Sequence, residues 1–129
     1  MSDLVTPETT QKQSYCYLIF NLKDKNDVIE ACELYCEAFG AEKTSEETGT
    51  EGWIGINIRL FNFGIFIQSV DDAPRGGCCI HFDAEQDLRK AYDLLSKEAE
   101  DCNLHLDWHW TPLSATLIDK FGVGWLFCV

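Results

Sequence analysis

The sequence predicts an α+β fold built of two βαβββ modules that form a partly open barrel-like cup. Two segments with helical periodicity stand at matching places in the two halves of the chain. Each follows a short aromatic or β-branched strand and precedes segments in which apolar and polar residues alternate, as they do in half-buried strands. A loop of Asp, Pro and Gly residues, 71–77, separates the halves. Because the order of elements restarts after this loop, we expect a repeat of architecture.

The length of 129 residues predicts one domain. Residues 1–13 are polar and without periodicity, so we expect a flexible N-terminal tail. The domain is predicted to span residues 14–129, with a first module over 14–70 and a second over 77–129.

Two helices are predicted, over residues 26–39 and 86–100. Asn26 or Asp27 is a suitable N-terminal cap for the first, and Gly40 is a suitable stop. The apolar face of this first helix consists of Val28, Cys32, Tyr35 and Phe39.

Seven strands are located by their composition, and the apolar face of each sheet is expected to cover its helix. A tight connection is expected at residues 62–64. The strands are predicted at residues 14–21, 54–60, 65–68, 78–83, 104–110, 113–118 and 123–129. The other face of the sheets would line a concavity and carries Asn57, Arg59, Gln68, His81 and Asp83.

Charge and composition exclude several classes of function. With 10 Lys and Arg against 22 Asp and Glu, the formal net charge is −12. Such a chain repels phosphate backbones and anionic lipid surfaces, so nucleic-acid and membrane binding are not expected. The first fifteen residues do not resemble a signal peptide, which predicts a cytoplasmic protein. The seven cysteines include no C-x-x-C pair and are interpreted mainly as buried thiols.

From Asp107 the chain reads DWHWTPLSATLIDKFGVGW. This stretch resembles the PhnB-like branch of the vicinal oxygen chelate superfamily, which includes glyoxalase, bleomycin-resistance and extradiol dioxygenase proteins and carries D-x-x-W followed by D-P-F-G-x-x-W. Lys120 replaces the usual Pro, and Thr111 stands where Gly is common. The segments YLIFN and ELYCEAFGAE are also similar, so the resemblance covers about residues 14–129. The matching motif residues are Asp107, Trp110, Asp119, Phe121, Gly122 and Trp125.

The resemblance implies a glyoxalase/bleomycin-resistance-like cup and a homodimer. In the enzymes of the superfamily it also implies one divalent metal, held in the cup by His and Glu side chains of the first, fourth, fifth and eighth strands. At those positions this chain offers Cys16, Phe66 or Gln68, Cys79 with His81 two residues on, and Leu126. Since Leu126 cannot bind a metal, we expect the usual metal site to be lost and no cofactor to be required. Whether Cys16, Cys79 or His81 bind a thiophilic metal is left open.

The candidate ligand-binding residues are Asn57, Arg59, Gln68, His81, Trp108 and Trp110. Arg59 would hold an anionic group of the ligand or, alternatively, form a structural ion pair with Asp83. The tryptophans would supply flat apolar walls.

Three functions follow from these residues, and whether the chain is an enzyme is left open. The first is metal-independent binding of a small molecule in the sheet concavity. The second is a metal-dependent lyase or dioxygenase with atypical ligands. The third is a protein-interaction or regulatory module whose cup is filled by Phe20, Phe66 and Leu126.

Overall fold

The computed structural model describes residues 16–108 and 111–129. Its strands are β1 (Tyr17–Leu22), β2 (Glu42–Thr48), β3 (Ile54–Leu60), β4 (Phe63–Ser69), β5 (Gly77–His81), β6 (Asp101–Trp108), β7 (Thr111–Ile118) and β8 (Gly124–Cys128). Its helices are α1 (Lys25–Phe39) and α2 (Glu85–Leu95), and a short 3₁₀ turn covers Thr50–Gly52. The predicted α+β class is confirmed. The predicted tail and Trp110 lie outside the described residues.

The strands form two four-stranded sheets with equivalent topology. The first sheet has the order β1-β4-β3-β2 and the second the order β5-β8-β7-β6. In each sheet the first strand pairs in parallel with the fourth, and the remaining neighbours are antiparallel. This is the repeated βαβββ order expected from the sequence, and the two sheets do not close into a barrel.

The first residue of α1 and the last residue of α2 differ from the prediction. α1 begins one residue early, because Asp24 is the cap and its Oδ1 accepts a 2.9 Å hydrogen bond from the Asp27 N–H. Gly40 ends α1 as predicted, in the left-handed conformation with φ of 71°. α2 stops at Leu95, well before the predicted end at residue 100. The chain reverses at Glu98, which has a φ of 60°, and the Glu100 N–H already bonds to the β7 carbonyl of Ile118.

The β3–β4 connection lies one residue earlier than predicted. Phe61 and Asn62 form the turn, and Phe61 takes a left-handed φ of 59°. Gly64, predicted as part of this turn, is instead paired with Arg59 inside the sheet.

One aromatic core joins the two modules on the helix side of both sheets. Tyr35 and Phe39 of α1 pack against Trp125 of β8, with ring centroids 5.2 and 4.9 Å away. Phe20 of β1 meets the same indole edge-on at 5.6 Å. These side chains are almost fully buried, so the first helix is packed against the sheets of both modules.

Candidate functional site

The first outer face is the side of the first sheet that is turned away from α1. In β3 the residues Ile54, Ile56 and Ile58 are buried toward the helix, so the alternating residues point to the outer face. The register places these residues in three cross-strand rows. The rows, from β2 to β1, are Glu42–Arg59–Gly64–Tyr17, Ser45–Asn57–Phe66–Ile19 and Glu47–Gly55–Gln68–Asn21.

Hydrogen bonds between side chains order the polar groups of this face. The Gln68 amide donates to Asn21 Oδ1 at 2.8 Å and accepts from the Trp53 indole at 3.3 Å. The Asn57 amide donates to the Ser45 hydroxyl at 2.8 Å. Two of the predicted ligand-binding residues, Asn57 and Gln68, are therefore held in fixed orientations.

The middle of the first outer face is an aromatic platform. A β-carbon at Gly55 would lie 2.4 Å from Phe66 Cζ, so the Phe66 ring lies directly over the glycine. The ring centroids of Phe66 and Trp53 are 6.2 Å apart. Only glycine at position 55 leaves room for this arrangement, which gives the face an apolar surface made of two aromatic rings inclined at 46° to each other.

The open space beside the platform, which we call the bay, lies over the residue that stands between Arg59 and Tyr17 in the first row. This residue is Gly64, and a β-carbon there would meet only Tyr17 Cβ, at 3.6 Å. The Arg59 side chain is 61% exposed and lies 4.0 Å from a Glu42 carboxylate that is 75% exposed. An ion pair this exposed contributes little to the stability of the fold. The expected alternative, a buried pair with Asp83, is wrong, because Arg59 is exposed and its ion-pair partner is Glu42.

The second outer face is the side of the second sheet that is turned away from the helices, and it carries most of the predicted metal candidates. One cross-strand row reads His81–Cys128–Ser114–His105, and the next reads Cys79–Leu126–Thr116–Asn103. His81, predicted to share a site with Asn57 and Arg59, therefore lies on a different sheet from both. Trp108 ends β6, and Trp110 lies outside the described residues.

The donor set does not fit the hard divalent metal that the resemblance implies. The β1 residues of the first outer face are Tyr17, Ile19 and Asn21, while Cys16 precedes the strand and alternates with them. On β4 and β8 the corresponding residues are Phe66, Gln68 and Leu126. Within residues 16–108 and 111–129, no group of three or more His, Cys, Asp or Glu side chains is arranged to hold a metal ion.

The motif that carried the resemblance has a structural role. The Asp119 carboxylate is fully buried and accepts four hydrogen bonds. Its Oδ1 accepts from the N–H groups of Phe121 and Val123, and its Oδ2 from the Tyr35 hydroxyl at 2.6 Å and the Trp125 indole at 2.9 Å. Burial raises the pKa of Asp119, and these four hydrogen bonds oppose the shift. We call this arrangement the Asp119 clasp.

A cavity of about 1030 Å³ lies against the free edge of β5, between the two modules. Leu18, Phe39, Phe63 and Ile80 contribute to its apolar lining, together with His81. Its lining does not include Asn57, Arg59 or Gln68, so it is separate from the first outer face.

Comparison with solved structures identifies the fold. A PhnB protein from Bacillus cereus, described as a putative 3-demethylubiquinone-9 3-methyltransferase, superposes with a TM-score of 0.72 at 14% identity, covering 89% of this chain and 98% of that one. A glyoxylase/bleomycin resistance protein/dioxygenase domain from Frankia sp. EAN1pec gives 0.66 at 11% identity, covering 91% and 97%. The chain has the vicinal oxygen chelate fold. This confirms, for the fold, the resemblance expected from the sequence.

A third vicinal oxygen chelate structure shows how far the likeness extends. The fosfomycin resistance protein FosX from Listeria monocytogenes, solved with Mn(II) and sulfate, gives a TM-score of 0.61 at 9% identity, covering 88% of this chain and 89% of that one. At such identities the likeness concerns architecture alone. No protein-family model matches the chain, and no curated protein does. No helix among the described residues is long and apolar enough to cross a membrane.

Several residues of the two outer faces were missed at the level of sequence. Asn21 and Trp53 belong to the first outer face and were not among the predicted residues, whereas Phe66 was predicted there only as a metal position or as a residue that fills the cup. Cys128 and Ser114 were read as part of apolar strands. Only the register of β8 with its neighbours reveals that they share a face with His81.

Proposed function

We propose that this chain binds a small organic anion with a flat apolar body, without a protein-bound metal, on the first outer face. The observation that carries the proposal is the bay at Gly64, which lies between the Arg59 guanidinium and Tyr17 and next to the Phe66 platform. Stacking on an aromatic ring and an ionic contact to Arg are a suitable pair of contacts for an aromatic carboxylate or sulfonate.

The remaining polar groups would set the orientation of the ligand. Asn57 stands in the row next to Arg59, and Gln68 is fixed by Asn21 and Trp53. Few, well-placed polar groups around an apolar floor are typical of small-molecule sites. His81, Trp108 and Trp110 stay predicted contacts, and His81 lies on the second sheet.

The two rival functions have less support. A lyase or dioxygenase of this fold would need four metal ligands. Of the expected positions, the eighth-strand one holds Leu126 and the fourth-strand one Phe66 or Gln68, while Cys16 precedes β1 and alternates with the residues of the first outer face. A filled cup would need Phe20 to point into it, but Phe20 is buried in the aromatic core on the opposite side of its sheet.

We also propose that the chain acts as a homodimer. β1 and β5 are edge strands of their sheets, and edge strands favour association. Asn21 of β1 already exchanges hydrogen bonds with Arg75, so the exposed apolar side chains carry this proposal. Tyr17 and Ile19 on β1 and Phe61 at the neighbouring turn are 48%, 45% and 58% exposed, which is unusual for large apolar side chains in a monomer. Light scattering after size-exclusion chromatography tests this proposal, and a monomeric mass at micromolar concentration would contradict it.

The binding proposal is tested with 1-anilinonaphthalene-8-sulfonate, an aromatic sulfonate whose fluorescence reports binding, and with naphthoate as competitor. We expect saturable binding that naphthoate displaces and that Arg59→Ala weakens. Arg89→Ala is the matched control, because Arg89 is also exposed and paired with a glutamate, Glu85. Equal affinity of the Arg59 variant and the wild type, with the fold intact, would overturn the proposal.

A further inference from the structure

The second outer face contains a pair of thiols that the proposed ligand site does not use. Parallel pairing sets Cys79 beside Leu126 and His81 beside Cys128, so the two cysteines are diagonal neighbours on one face. Cys79 is exposed to solvent, whereas Cys128 is only 4% exposed. The pair therefore has one accessible member and one buried member.

A buried hydroxyl without a partner stands next to this pair. Ser114 is directly opposite Cys128 in the β7–β8 ladder and is 1% exposed. Its Oγ has no hydrogen-bond partner within residues 16–108 and 111–129. Buried polar atoms are nearly always satisfied, so an orphan such as this one requires an explanation. A thiolate or a bound ion at Cys128 would supply the missing partner.

We propose that Cys79 and Cys128 form a dithiolate site for a soft metal ion of low coordination number, of which Cu(I) is the example. Binding replaces the proton of each thiol by a sulfur–metal bond. One Cu(I) and two thiols give one bis-thiolate complex and two protons, and no electron is transferred. The Ser114 hydroxyl then donates to the Cys128 thiolate.

The chemistry of the donors favours a soft ion over zinc. Thiolates select soft ions such as Cu(I), which is stable with two sulfur ligands. Structural Zn²⁺ requires four ligands in a tetrahedron, and the described residues offer no group of three. Burial, and then the neighbouring Cys79 thiol, raise the pKa of Cys128. Cys128 therefore stays protonated until a metal displaces the proton.

The first test is anaerobic titration of the reduced full-length chain with Cu(I) in competition with the chelator bathocuproine disulfonate. We expect the wild type to retain one equivalent of Cu(I), with a sulfur-to-copper charge-transfer band in the ultraviolet. Cys79→Ser is expected to abolish both. Because Cys79 is exposed, this variant should fold normally, which circular dichroism checks.

Two control variants distinguish this site from the other thiols. Cys102→Ser removes another exposed cysteine and should leave Cu(I) retention unchanged. Cys32→Ala breaks the thiol pair of α1, in which burial and Cys36 raise the pKa of Cys32 to about 11. Loss of Cu(I) in Cys32→Ala but not in Cys79→Ser would overturn the proposal. Retention of Cu(I) by every variant would do the same, as would equally tight binding of Zn²⁺.

Ser114→Ala tests the role of the orphan hydroxyl. Removal of an unsatisfied buried hydroxyl should leave the metal-free protein as stable as before or slightly more stable. Affinity for Cu(I) should fall about tenfold, as is usual when a group that supports a metal ligand is lost. Unchanged Cu(I) affinity in this variant would contradict the assigned role of Ser114. None of these variants changes a residue of the first outer face, so binding of the anionic ligand there should be unaffected by all of them.

Discussion

The Tyr35 hydroxyl donates a 2.6 Å hydrogen bond to Oδ2 of Asp119, a residue 84 positions further along the chain. The bond connects the helix of the first module to the β7–β8 turn of the second. Both partners are fully buried, and the Trp125 indole shares the same carboxylate oxygen. A hydrogen bond to a buried charged group is among the stronger ones in a protein. Its geometry leads directly to two predictions on stability.

Asp119→Asn should destabilise the fold by about 3 kcal/mol. The amide keeps the size of the side chain and one oxygen for the N–H groups of Phe121 and Val123. Its NH₂ group, however, meets two donors, and the Trp125 N–H is left without an acceptor. Urea unfolding followed by Trp fluorescence measures the loss, and a change below about 1 kcal/mol would contradict the role assigned to the clasp.

Tyr35→Phe should lower the free energy of unfolding by about 2 kcal/mol at neutral pH, and this difference from the wild type should disappear in alkali. Burial, then the Asp119 charge, raise the pKa of Tyr35 well above its ordinary value of 10.0. The folded state thus holds the phenol proton more tightly than the unfolded state. The contribution of Tyr35 to stability is complete below pH 10 and falls as the pH rises through the folded pKa, by about 1.4 kcal/mol per pH unit.

Unfolding curves of wild type and Tyr35→Phe at several values of pH between 8 and about 11.5 check this dependence. Tyr17→Phe, at an exposed position on β1, is the control. If the difference between wild type and Tyr35→Phe stayed constant over that range, the linkage would be refuted.

Gly55→Ala should destabilise the protein by about 1–3 kcal/mol through overpacking. The new methyl group would lie 2.4 Å from Phe66 Cζ and 2.9 Å from Trp53 Cη2, so both rings must move. Denaturant unfolding gives the magnitude, and the near-ultraviolet circular dichroism of Trp53 reports the displacement. A fully native spectrum together with unchanged stability would show that the platform is not built as described.

Substitutions at Gly64 are expected to affect ligand binding rather than stability, in contrast to Gly55→Ala. The methyl group added in Gly64→Ala fits in ordinary contact with Tyr17, so stability should change by less than about 0.5 kcal/mol. The larger Gly64→Val should fill the bay beside Arg59 and weaken binding of 1-anilinonaphthalene-8-sulfonate. Binding as strong as that of the wild type would place the anion elsewhere, for example in the cavity beside β5.

Most elements of the fold were predictable because their signals are local, but β2 (Glu42–Thr48) was not located, because it is polar and exposed along its whole length. The apolar periodicity of α1, the left-handed Gly40 and the alternation in β3 each depend on a few neighbouring residues. The cap at Asp24 and the end of α2 were not predictable in the same way. The end of α2 is set by the hydrogen bond between the Glu100 N–H and the Ile118 carbonyl, which is a contact with a distant part of the chain.

The candidate site was predictable only one strand at a time. Alternation correctly separated Asn57 and Arg59 from the buried face of β3. It could not show that Arg59 is exposed or that Cys128 lies beside His81, because both depend on how strands associate. The environment of Cys128 was hidden for the same reason, since its neighbours Cys79 and Ser114 come from two other strands.

The Asp119 clasp has a consequence for anyone who classifies such chains by their most recognisable motif. Asp119, Phe121 and Trp125 are all engaged in closing a turn and anchoring a helix, and they lie on the core side of the sheet rather than on an outer face. These residues act on the stability of the fold, whatever molecule is bound. A match at these three positions therefore indicates a shared scaffold, and the identity of the bound molecule has to be read from the outer faces.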